Sequence, residues 1–401
     1  MLSLDYGTLA PPADAAPVMR GSQQFQSMRF IRFVGRAMLA ATVLSASSLA
    51  WSEGIVLGQI GPFTVLPVND AVEVNQGIKA YMAQANKTGI KGQKITLFEA
   101  DDRYSGDGFV EQFPLALEKK PIAFVSPIGS AAIKRMLDDK LLDTAPVVIV
   151  NAVPGAESLR APGHPKLFHI RAGDKQQIEK IITHTRTLGI TRVAVLYQDL
   201  PIGTSGWAMA QEAAAAAGLS LKGEISPTEL AALDAAAERV AKLDAQTVLV
   251  LGAPRFMADG IAALRKAGVS QSIFVLSYVP PELIVKLVGV KGARGVGIAQ
   301  TFPNPNGKTL PLHREFHAAM KEAFPQVTEY TPFQLEGYLS ARTVGEALKR
   351  SKELTAASLQ STLSTMGMVD FGGFRVDFSK GNVGSRFVDI GVIGADGRLR
   401  Y

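Results

Sequence analysis

Short apolar runs of strand length alternate with stretches of helical periodicity along most of the chain, and this alternation constrains the fold more than any other feature. Residues 55–60 form an apolar run closed by Gly61-Pro62, and Val74, Ile78, Tyr81 and Met82 recur at helical spacing behind Asp70. Further strands are read at 95–98, ending in Glu99-Ala-Asp101-Asp102, at 122–125 and at 147–150. The rhythm then restarts with a helix over 175–188, a strand over 192–197, an Ala-rich helix over 206–217 stopped by Gly218, and strands at 247–251 and 273–276 around a helix near 261–267. Residues 295–301 lead into the linker Phe302-Pro-Asn-Pro-Asn-Gly307. Long helices follow at 312–323, 333–349 and 356–366, then short strands near 374–378 and 387–393. The pattern predicts an α/β protein with parallel sheets and right-handed crossovers, and 401 residues are enough for two lobes with sizeable cores.

Composition excludes several classes of function. Charged residues are 19%, as in a compact globular chain, and the net charge of +6 comes with no Lys/Arg-rich run, so there is no nucleic-acid footprint. Residues 1–52 carry +2 of that charge. The chain has no cysteine, which excludes disulfides, thiolate metal sites, a Cys nucleophile and a lipid anchor on cysteine. No GxGxxG fingerprint occurs. Gly307-Lys308-Thr309 lacks the phosphate-loop glycine, with Phe302 in its place, and Gly203-Thr-Ser205-Gly206 reads as a turn into the next helix. His313 and His317 lie one helical turn apart without a third ligand, which favours a solvated helix face over a metal site. Neither a cofactor nor covalent chemistry is expected.

The N-terminus reads as a leader. Residues 28–36 are basic, 37–49 are apolar or small, and Ser48-Leu49-Ala50 or Ala50-Trp51-Ser52 offers a signal-peptidase exit. We expect a signal peptide at 28–52 and treat 1–27 as an upstream extension from a misassigned start. The apolar stretch is short for a retained transmembrane anchor. The exported product would float free.

The candidate binding element is Pro121–Leu142. After the strand at 122–125, Pro127 and Gly129 break the backbone, and Ile133, Met136, Leu137 and Leu141 recur at helical spacing. Ser130 stands where that helix begins. Its hydroxyl and the free N–H groups of the first turn could hold a small carboxylate, or the serine could simply cap its helix. Ligands bind at the carboxyl ends of strands in open α/β sheets, which is where this loop falls. Asp70, with Glu73 as partner, reads as an N-cap, and Asp174 as a possible cap of the 175–188 helix.

Ile55-Val-Leu-Gly-Gln-Ile-Gly-Pro, Gln76-Gly-Ile-Lys-Ala-Tyr, Gly89-Ile-Lys-Gly-Gln-Lys, Asp101-Asp102, Gly155-Ala-Glu-Ser-Leu-Arg160, His169-Ile-Arg171 and Tyr197-Gln-Asp-Leu-Pro-Ile-Gly203 occur in that order. The ordered set resembles the periplasmic solute-binding proteins of ABC importers, in the branched-chain amino-acid-binding (leucine/isoleucine/valine-binding) group, over residues 53–401. The resemblance implies the type I periplasmic-binding-protein fold: two Rossmann-like lobes joined by three hinge crossings, here near Ala172, Thr301 and Phe378. Lobe 1 would be 53–172 with 302–377, and lobe 2 would be 173–301 with 378–401. It also implies a monomer that delivers a small carboxylate-bearing solute to an inner-membrane ABC permease, or else reports to a receptor.

By the same resemblance Ser130, with Ile128 and Gly129 beside it, matches the α-carboxylate loop. Gly155, near Val153, replaces a second carboxylate partner. Aromatic positions fall near Asp70 and Ile202. The positions that hold the ammonium fall near Ala253 and at Ser277 or Tyr278, where no acid stands. An organic acid, or an amino acid whose nitrogen is held elsewhere, is therefore expected to outcompete leucine unless Asp70 or Asp174 turns inward.

Overall fold

The protein is described from a computed structural model covering residues 54–65 and 70–401. The expected leader at 28–52 and extension at 1–27 lie outside the described residues. The first sheet is built from β1 (Ile55–Gly61), α1 (Asp70–Ala85), β2 (Ile95–Asp101), α2 (Gly106–Leu117), β3 (Ala123–Val125), α3 (Ser130–Asp138), α4 (Leu141–Thr144), β4 (Val148–Val150) and β5 (Leu167–Phe168). Its strands run parallel in the order β2-β1-β3-β4-β5. The chain then forms α5 (Asp174–Thr187), β6 (Arg192–Gln198), α6 (Pro201–Ala217), β7 (Ser220–Ser226), α7 (Leu230–Ala241), β8 (Thr247–Leu251), α8 (Pro254–Lys266), β9 (Ser272–Val275), α9 (Pro281–Ala293) and β10 (Val296–Gln300). It continues through α10 (Pro311–Ala323), α11 (Pro332–Arg350), α12 (Ala356–Thr365), the hairpin of β11 (Met368–Asp370) and β12 (Arg375–Asp377), then β13 (Asp389–Ile393) and β14 (Leu399–Arg400). The second sheet has the order β14-β13-β10-β9-β8-β6-β7.

Three sequence expectations change. The helical pattern reaching Leu141 is broken at Lys140, whose φ is +54°, so Leu141 opens the separate short helix α4. The second sheet is parallel only in part, because β13 runs antiparallel to both β10 and β14. The turn expected at 203–206 lies inside α6, which starts at Pro201. A Cβ on Gly203 would overlap the backbone of Gln198, so the glycine allows the helix to start tight against the end of β6.

Each sheet carries its own core. Leu57, Ile78, Val125, Phe302, Leu339 and Phe378 pack in one, and Val195, Leu249, Ile261, Phe274, Ile298 and Ile390 in the other. We propose that the lobes exchange near 172, near 301 and at 385–388. The third crossing falls past Phe378 because the His169 N–H donates to the Asn382 carbonyl and the Gly384 N–H to the His169 carbonyl, both at 2.7 Å. These bonds hold the chain on the edge of the first sheet through Gly384.

Two glycines set how α1 meets α11. A Cβ on Gly77 would overlap the Gln334 carbonyl, and one on Gly337 would overlap the Val74 carbonyl. The helices therefore touch backbone to backbone. This contact brings the first turn of α1, with Asp70 and Glu73, beside the first turns of α11, with Thr331 and Glu336.

Candidate ligand-binding cleft

The loops after β1, β2 and β3 converge at the carboxyl ends of the first sheet. Gly129, at φ +108°, is the N-cap of α3 and supplies no side-chain cap, while Ser130 is already the first helical residue and is exposed. No hydrogen bond ties the Ser130 hydroxyl to its own helix among the described residues, which removes the capping reading. Ile128 is buried beneath this turn, and the Val153 N–H holds the Pro127 carbonyl at 3.0 Å.

The Tyr104 ring comes within 3.7 Å of the position a Gly129 Cβ would take, and the tyrosine is 48% exposed. The paired acids after β2 hold this loop. Asp102 accepts from the Tyr104 N–H at 2.9 Å; Asp101 accepts from Phe63 N–H at 2.9 Å, from Arg103 N–H at 3.1 Å and from the Thr64 hydroxyl. Asp101 is spent on holding this loop, while Asp102 Oδ2 is buried without a partner among the described residues.

At the crossing between the sheets lies a buried polar network. The Arg171 guanidinium donates to the Glu336 carboxylate, to Ser277 Oγ at 2.6 Å, and lies over the Tyr278 ring at 4.9 Å. Asn151 Nδ2 donates to Glu336 at 2.9 Å, while Asn151 Oδ1 accepts from the Arg171 N–H at 3.0 Å. Glu336 thus takes two donors; burial raises its pKa, opposed by the Arg171 charge and these hydrogen bonds. Burial alone would lower the Arg171 pKa, and the Glu336 anion reverses this and raises it.

Asp174 turns inward but is already engaged. Its Oδ1 accepts from the Tyr278 hydroxyl at 2.5 Å, and its N–H donates to the Gly155 carbonyl at 2.8 Å. The N-cap of α5 is Gly173, whose N–H is held by Gln176 Oε1 at 2.9 Å, so Asp174 does not cap that helix. Burial raises its pKa against the opposing Tyr278 hydrogen bond and the Arg160 and Arg171 charges. A side chain on Gly155 would collide with both Asp174 and Tyr278. Glycine is therefore required there whatever the backbone binds.

Asp70 differs. It is the first residue of α1 and is 7% exposed, and its buried Oδ1 has no hydrogen-bond partner among the described residues. Burial, reinforced by Glu73 and opposed by Arg171, pushes its carboxyl up to about 8. Glu73 does not complete a capping box: it accepts from the Thr331 hydroxyl of α11 at 2.7 Å, and burial raises it to about 7.

The structure thus groups Asp70, Gly129 and Ser130, with Tyr104, on one lobe. It groups Gly155, Asp174, Ser277 and Tyr278 at the crossing. Ser277 is bound by Gln177 Oε1 through its N–H at 2.9 Å and its hydroxyl at 2.7 Å, as part of the hinge. Ile202 is half-buried in the first turn of α6 on the other sheet and belongs to neither group.

Sequence reasoning missed Arg171, Glu336, Asn151 and Tyr104 as site residues. A signal existed for two of them: Arg171 stands inside the quoted His169-Ile-Arg171, and Glu336 interrupts the buried pattern of Phe333, Leu335 and Leu339. The histidine pair is not the solvated face expected, because His313 is 4% exposed. His317 Nε2 contacts the Pro305 carbonyl at 2.7 Å, His313 Nδ1 accepts from Leu310 N–H at 3.2 Å, and no metal-ligating cluster of three occurs among the described residues.

The profile of the periplasmic binding protein family matches residues 54–398. The chain belongs to that family. Its members are substrate-binding proteins, so this binding protein is not an enzyme, and the α/β fold agrees with the type I architecture. It is similar to an extracellular ligand-binding receptor from Verminephrobacter eiseniae at 67% identity and TM-score 0.84, over 87% of this chain and 100% of that one. It is also similar to a substrate-binding periplasmic protein from Ralstonia solanacearum at 26% identity and TM-score 0.77, over 86% and 99% of the two chains. An ABC transporter substrate-binding protein from Desulfitobacterium hafniense, in complex with Leu, shares the fold at 18% identity and TM-score 0.72, over 87% and 100%. Among curated proteins, none matches. No helix among the described residues is long and apolar enough to cross a membrane.

Proposed function

We propose that this binding protein captures a small carboxylate-bearing solute, an amino acid or related organic acid, between its lobes and delivers it to an inner-membrane ABC permease. The observation that carries the reading is Ser130. Its hydroxyl is exposed and caps nothing, at the head of a nine-residue helix whose first N–H groups and dipole favour an anion. Gly129 lets the ligand approach the backbone, and Tyr104 forms a wall beside it. Ile128 and Val153 support the loop from beneath, Gly155 lets Asp174 and Tyr278 pack tightly at the crossing, and Ile202 would close from the opposite lobe. The protein would act as a monomer, free in the periplasm. A relative named as an extracellular ligand-binding receptor supports a second reading, in which this protein is a ligand-binding sensor whose closure reports to a receptor.

A thermal-shift screen of amino and organic acids tests the capture, since ligand at ~100 times its Kd adds about 2.7 kcal/mol to stability. Calorimetry on Ser130→Ala then tests the site. Loss of a hydrogen bond to a charged group should weaken binding about ten- to over a hundredfold, with unfolding unchanged. Unchanged affinity would remove Ser130 from the site.

A further inference from the structure

A buried carboxylate oxygen without a donor is costly, and folded proteins rarely leave one unless something absent completes it. Among the described residues Asp70 Oδ1 is such an atom, as are Asp102 Oδ2 and Glu157 Oε1. The charged and titratable groups around it come from every neighbouring element. Glu73 lies on α1 itself, Glu336 on α11, Arg171 on the segment between β5 and α5, and Tyr104 on the loop after β2. Arg171 is the cation of this set; its terminal nitrogens are committed to Glu336 and to Ser277, and its Nε, buried without a partner, makes no hydrogen bond to Asp70. Asp174, the other inward acid, is satisfied by Tyr278 and lies between Arg160 and Arg171. Among the described residues Asp70 therefore has no cation bonded to it, beside the loops that carry Ser130 and Tyr104.

We propose that Asp70 is the seat of a cationic nitrogen on the captured solute, and that this nitrogen displaces a proton from the carboxyl as it binds. The inference rests on the cleft reading above and narrows its substrate class from carboxylic acids to amino acids or other amine-bearing acids. The nitrogen is held from the first lobe, by the opening turn of α1, and not from the second-lobe positions at Ala253, Ser277 and Tyr278. The raised Asp70 carboxyl fits this use: in the empty cleft it keeps its proton near neutrality, and an arriving ammonium favours the ionised form. Affinity should then rise with pH and level off above about 8, falling about tenfold per pH unit on the acid side.

The test uses matched sets: leucine, 2-hydroxy-4-methylpentanoate and 4-methylpentanoate, with phenylalanine and glutamate in equivalent sets. Each is titrated calorimetrically into the wild type at pH 6, 7 and 8.5, in buffers of different ionisation enthalpy. At least one amine member should bind at least tenfold more tightly than its hydroxy and deaminated partners and release about 0.9 proton at pH 7. Asp70→Asn should erase both the preference and the pH dependence. Glu73→Gln, already bonded to Thr331, should keep the preference and shows that the fold around α1 tolerates a lost carboxylate. Equal or tighter binding of a hydroxy or deaminated acid, or an amine preference that survives Asp70→Asn, overturns the inference and leaves carboxylate capture standing. Binding by no member of any set overturns both.

Discussion

Asp70→Asn should stabilise the ligand-free protein, and by more as the pH rises. Burial and Glu73 move the Asp70 carboxyl from 3.8 to about 8, so between those values the folded state holds a proton that the unfolded chain has lost. A group raised in this way contributes fully below its unfolded pKa and loses that contribution as the pH climbs through the folded value, at ~1.4 kcal/mol per pH unit. Asparagine keeps the shape and cannot ionise. Its advantage should therefore grow by about 2–3 kcal/mol between pH 5 and pH 7. With unfolding entropy of ~2.1 cal/mol/K per residue, a folded body of this size would show that as roughly 4 °C in Tm. Scanning calorimetry of both ligand-free proteins at pH 5, 6 and 7 reads the difference. Glu73, raised to about 7, titrates in both proteins and largely drops out of the comparison. A Tm difference that does not change with pH would refute the reasoning, because Asp70 would then ionise as freely folded as unfolded.

Glu336→Gln should cost about 3–5 kcal/mol by leaving the buried Arg171 charge without its anion, whereas Glu336→Leu combined with Arg171→Met should recover most of the loss. A single-variant cost below about 1 kcal/mol in urea denaturation would mean the pair is not ionised. Tyr278→Phe removes the donor to Asp174 and should cost about 1–3 kcal/mol at neutral pH; an unchanged denaturation midpoint would show that another group replaces it. Gly77→Ala should cost about 1–3 kcal/mol by forcing α1 off α11, and unchanged stability would mean the helices separate without strain.

The buried strands are legible because parallel strands covered on both faces read as unbroken apolar runs, as at 122–125 and 247–251. β7 is not legible: it lies at the sheet edge as Ser-Leu-Lys-Gly-Glu-Ile-Ser, mostly exposed, and needs only its pairing with β6. The start of α6 is hidden for another reason. Proline and glycine punctuate loops, yet Pro201 suits a first helical turn and Gly203 serves a close approach to β6. The caps read at Asp70, Ser130 and Asp174 each prove to be first helical residues instead, which sequence spacing cannot separate from an N-cap one position earlier.

By itself the sequence determines the α/β alternation, the freedom from disulfides and the placing of Ser130 on a strand-to-helix loop, since each depends on residues close together in the chain. Only the tertiary structure decides which acid is spent and which is available. Asp70 and Asp174 look alike in the sequence, but Asp174 meets the Tyr278 hydroxyl 104 positions away. Arg171, whose charge acts on Asp70, is bonded instead to Glu336 across 165 positions. The charge state of a carboxylate follows from the water it loses and the partners it meets, and packing alone sets both.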